Sequence, residues 1–77
     1  MPNYLVNFTV TLDGDSTEYG MIRVSGAYNP NRAKQAIENY YRKTHPSKTH
    51  VAVVINSNIQ VSQEAYDAAA NDSISVV

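Results

Sequence analysis

Arg32, Lys34, Arg42, Lys43, His45 and Lys48 crowd between positions 32 and 48 of a 77-residue chain, and with Arg23 they include every Lys and Arg it has. Clustered guanidinium and ammonium groups hold anions: carboxylates on a protein or phosphates on a nucleic acid. The formal net charge of −1 conceals the cluster. Residues 1–22 carry Asp13, Asp15 and Glu18, residues 49–77 carry Glu64, Asp67 and Asp72, and neither stretch contains Lys or Arg. Between them Glu38 is the sole acid among six bases. A surface segregated in this way selects and orients a partner.

Other chemistries find too few residues. His45 and His50 flank Pro46 and have no cysteine to join them, whereas zinc needs three or four converging ligands. Asp13, Asp15 and Glu18 share one hairpin, but a calcium-binding EF-hand loop needs twelve residues between helices. No serine stands in a G-x-S-x-G or S-x-x-K pattern, and Gly14, Gly20 and Gly26 are isolated rather than gathered into a phosphate loop. The expectation is a protein that is no enzyme and carries no metal or other cofactor.

The elements that must position the cations are legible. Tyr4, Val6, Phe8, Val10 and Leu12 alternate with Leu5, Asn7, Thr9, Thr11 and Asp13, the period of a half-buried strand. Asp13-Gly14 is hairpin-turn chemistry, and a second strand returns over about 17–25. A two-residue loop pairs Phe8 with Tyr19 and Val6 with Met21. A three-residue loop through Asp15 pairs Val6 with Ile22 and Tyr4 with Val24. Both registers bury apolar residues.

Asn29 caps a helix that opens with Pro30, and Tyr28 stands where a hydrophobic staple packs on Ala33. Ala33, Ala36, Ile37, Tyr40, Tyr41 and Thr44 form its apolar stripe. Arg42, Lys43 and His45 complement the negative end of its dipole, and Pro46 stops it. His50 to Ile55 reads as a covered strand, Asn56-Ser57-Asn58 as a turn, and Ile59 to Val61 as a short returning strand. Ser62 caps a second helix to about Ala70, with Asn71 as a left-handed cap. Ile74, Val76 and Val77 form an edge strand or a tail.

The resulting fold class is α+β: one domain over 1–77, element order ββαββα, and an antiparallel sheet of strand order 2-1-3-4 with one amphipathic helix on one face. The opposite face presents Leu5, Asn7, Thr9, Thr11, Ala52 and Val54, either a second small core under the second helix or a docking surface. The longest apolar run, Val51 to Ile55, is far short of the roughly 20 residues that span a bilayer. The lack of cysteine and of a basic, apolar leader points to the cytoplasm.

Size, cysteine-free composition and a β-β-α-β layout resemble those of small phage and mobile-element proteins that act by adhering to a host enzyme. That resemblance implies an inhibitor that masks or modulates a larger protein. The cations supply the contact: an acidic surface on the partner would meet Arg32, Lys34, Arg42, Lys43, His45 and Lys48. Two alternatives stand beside it. Tyr28, Tyr40 and Tyr41 interleave with the bases of 30–48 as in a nucleic-acid surface, where rings stack on bases and cations hold phosphates. The sheet face or an edge strand could instead join copies of the chain, as a homodimer or a self-assembling structural protein.

Overall fold

A computed structural model describes residues 2–74. Strand β1 (Asn3–Leu12) buries its even-numbered side chains: Val6, Phe8, Val10 and Leu12 are each at most 1% exposed. It is the middle strand of a three-stranded antiparallel sheet of order β2-β1-β3, where β2 is Ser16–Ser25 and β3 is Val51–Val61. The architecture is thus α+β, with helix α1 (Pro30–Thr44) on the face that carries the even residues of β1. Ala33, Ile37 and Tyr41 are the helix's buried contribution. Thr44, expected in that stripe, is exposed and donates its hydroxyl back to the Tyr40 carbonyl (2.9 Å).

The hairpin takes the three-residue register, with Leu12 opposite Ser16, Val6 opposite Ile22 and Tyr4 opposite Val24. Asp13 and Gly14 both adopt positive φ (53° and 76°), the conformation that favours Asp-Gly in hairpin turns. This register sets Phe8 against Gly20, where the absent side chain leaves room for the ring.

The expected fourth strand does not form, so the order ββαββα with strands 2-1-3-4 is corrected to three strands. Asn56-Ser57-Asn58 is not a turn. Phe8 pairs with Ile55 and Asn7 with Ser57, which leaves Asn56 as the extra residue of a β-bulge inside one continuous strand. The cause lies on β1. Asn56 Nδ2 donates to Thr9 Oγ1 (2.7 Å) and Asn7 Nδ2 donates to Ser57 Oγ (3.1 Å), so side chains that resemble turn chemistry are satisfied across the sheet.

Helix α2 (Gln63–Ala68) is capped by Ser62, whose hydroxyl accepts from the Ala65 amide (3.1 Å). It tightens into a 3₁₀ turn over Ala69–Asp72 instead of ending in a left-handed Asn71, as Asp13 is the only non-glycine residue with positive φ among those described. Asn3 Nδ2 donates to Gln63 Oε1 (3.0 Å), and Arg23 reaches Tyr66, so α2 covers only one end of the second sheet face. Ile74 then meets Ile22 in a parallel bridge on the outer edge of β2. Val76 and Val77, the rest of the expected tail strand, lie outside the described residues. No described helix is long and apolar enough to cross a membrane.

Candidate functional site

Helix α1 fixes where four of the cations go. Asn29 Oδ1 accepts from the Asn31 and Arg32 amides (3.0 and 3.3 Å), which starts the helix at Pro30 and sets the phase of every later residue. At 3.6 residues per turn, Arg32 and Lys43 fall on one margin of the buried stripe, while Lys34 and Arg42 fall with Glu38 on the other. The cations therefore straddle the helix.

They also differ in what they touch. Arg42 Nη2 lies 3.4 Å from Glu38 Oε1, an exposed i,i+4 pair worth roughly 0.3–0.5 kcal/mol. His45 Nε2 lies 3.3 Å from Glu18 Oε2 on β2, and its ring stacks on Tyr41 at 5.5 Å. Arg32, Lys34, Lys43 and Lys48 have no carboxylate partner among the described residues.

Lys48 is held by the turn that leaves α1. The His45 amide donates to the Tyr41 carbonyl (2.8 Å), and the Lys48 amide donates to His45 (3.0 Å). The next residues are clamped to the hairpin by Asp13. Its Oδ1 accepts from the Thr49 amide (3.0 Å), the Thr49 hydroxyl (3.2 Å) and the His50 amide (2.8 Å), while its own amide donates to the His50 carbonyl (2.8 Å). The His50 amide, with those from Thr49 and the nearby Lys48 charge, holds the Asp13 carboxyl below its ordinary value despite an opposing desolvation effect. An aspartate that reads as turn chemistry also anchors the cationic loop.

Of the tyrosines interleaved with the bases, Tyr41 belongs to the core, and Tyr28 and Tyr40 are half-buried against it. Tyr41 is 3% exposed, and its ring meets Phe8 and Tyr40 edge-on at 6.1 and 5.3 Å. Burial pushes its hydroxyl pKa up, with smaller contributions from Glu18 and Tyr40. Tyr28 packs on Tyr4 at 5.7 Å. The buried Tyr41 ring is not free to stack on bases.

Arg23, on β2, lies outside the expected set of partner-binding cations. Its Nη1 donates to the Tyr66 carbonyl (3.0 Å), and its guanidinium lies 4.5 Å from the centre of the Tyr66 ring. It shares with Arg32 a cleft of about 380 Å³ at the outer edge of β2, lined also by Val24, Ser25, Tyr28 and Tyr66. None of the described lining residues is acidic. No sequence signal joins Arg23 to Arg32, since strand, loop and helix must all form before they meet. Among the described residues no three His, Asp or Glu side chains converge as a metal site. No protein family, curated protein or solved structure matches this chain.

Proposed function

We propose that the chain is a non-catalytic binding protein that docks on an acidic surface of a larger protein and masks or modulates it, as a phage or mobile-element inhibitor of a host protein would. The observation that carries this reading is the set of cations that form no ion pair with a carboxylate among the described residues: Arg32, Lys34, Lys43 and Lys48, on α1 and the loop leaving it. Asp13 is bonded to backbone amides and feels the Lys48 charge without forming an ion pair with it, Glu18 faces His45, and Glu38 is shared with Arg42. Arg42 and His45 belong to the same surface as positioned, partly compensated members.

Protein is favoured over nucleic acid as the partner because Tyr41 is buried, Tyr28 and Tyr40 are half-buried against the core, and seven acids offset six bases overall. The test is affinity capture from a lysate of the source cell, with and without nuclease, using the wild type and the variant R32E/K34E/K43E/K48E. A protein retained after nuclease and lost with the variant is the expected result. Retention that vanishes with nuclease transfers the assignment to nucleic acid, and equal retention by both forms removes the electrostatic basis.

A further inference from the structure

The two edges of the sheet are protected very differently. Strand β2 carries Glu18 and Arg23, and its outer edge is met by Ile74, whose amide donates to the Met21 carbonyl (2.9 Å). Strand β3 pairs with β1 on one side and with no strand on the other among the described residues. Its 11 residues, VAVVINSNIQV, contain no charge and no proline. Val54 and Ile59 stand 59% and 56% exposed along it. Natural edge strands are normally guarded by lysine, proline, inward charge or a cover, and an unguarded one is a template for another strand. Among the described residues its one guard is the bulge at Asn56.

We infer that the outer edge of β3 pairs antiparallel with the same strand of a second copy, joining two three-stranded sheets into one of six strands. Three features select a second copy as the occupant. An uncharged strand set against itself meets no like-charge repulsion, whereas it offers a charged foreign strand nothing to recognise. Antiparallel pairing about a two-fold axis is self-complementary and closes at two copies. It also brings the Lys48 end of one strand, where Asp13 holds Thr49 and His50, toward the Glu64 end of the other, so that Lys48 and Glu64, opposite in sign, flank the edge. Eleven residues at about 3.4 Å each reach roughly 37 Å, a seam comparable in length to the longest dimension of the molecule, 37 Å. The contact lies in the plane of the sheet, whereas α1 lies over its face, so both copies keep the cations of α1 (Arg32, Lys34, Arg42 and Lys43) available.

The test is the solution mass of the full chain by sedimentation equilibrium, from about 10 μM to 1 mM, a range that brackets dissociation constants in the micromolar to millimolar class. A reversible shift to twice the chain mass is expected. V54K/I59K should remain monomeric across the range while keeping the wild-type circular dichroism, since both side chains are already mostly exposed. T17K/Y19K, on the other edge, should still dimerise. Hydrogen exchange of the wild type adds a readout that no variant can spoil: β3 amides should gain protection as concentration rises. A wild type that stays monomeric overturns the inference, as does a dimer that survives V54K/I59K or that leaves β3 exchange independent of concentration.

Discussion

Phe8 lies across the β1–β2 pair from Gly20, so close that a Cβ added to the glycine would stand 2.6 Å from Phe8 Cζ. The ring is 1% exposed and packed in the core, so it must shift against its neighbours to admit a methyl group. Gly20→Ala should therefore destabilise the fold by about 1–3 kcal/mol, the usual range for overpacking. Urea unfolding followed by circular dichroism checks this; an unchanged midpoint would mean that Phe8 moves freely.

Asp13 ties the hairpin to the loop that carries Lys48, and its carboxyl is held below the ordinary value of about 4. A depressed value in the folded state contributes stability that is present above the unfolded value and lost as pH falls through the folded one. Asp13→Asn should lower stability at neutral pH and flatten its decline below about pH 4. Amide exchange at Thr49 and His50 should quicken. Parallel acid-unfolding curves for the two proteins would remove Asp13 from the account.

Tyr41 behaves in the opposite sense. Its hydroxyl is held above the ordinary value of about 10, so its contribution is present below that pH and lost as pH rises through the folded-state value. Tyr41→Phe keeps the ring against Phe8 and should lessen alkaline destabilisation while leaving neutral stability nearly unchanged. Tyr41→Ala should cost about 3–5 kcal/mol through the cavity it opens. Thermal unfolding across pH 7 to 11 separates these effects.

Arg23 fastens α2 to the second face of the sheet through the Tyr66 carbonyl and ring. Arg23→Met retains an apolar stem and removes both contacts, at a cost of about 1 kcal/mol. The loss should be local: exchange at α2 amides should rise while that of β1 stays slow. Uniform acceleration would show that α2 and the sheet open together.

The local signals in the sequence were reliable where one element satisfied itself. The even-numbered apolar ladder of β1 and the Asn29-Pro30 start of α1 stand as read. Asn56-Ser57-Asn58 misled because its polar side chains suit a turn until Thr9 and Asn7 are known to lie across from them. The hairpin register was open because both alternatives bury apolar residues; the fit of Phe8 over Gly20 distinguishes them. The cationic segment was visible, but its division between two margins of α1, and the meeting of Arg32 with Arg23 in one cleft, are tertiary facts.

If the cations of α1 and its exit loop bind an acidic protein surface, the affinity of the captured partner for the wild type and for K43E/K48E, each at low and high salt, will show it. Charge reversal should weaken binding by about tenfold or more, about 1.4 kcal/mol, and the wild-type affinity should fall as salt rises. Equal affinities for the two proteins, insensitive to salt, would contradict it.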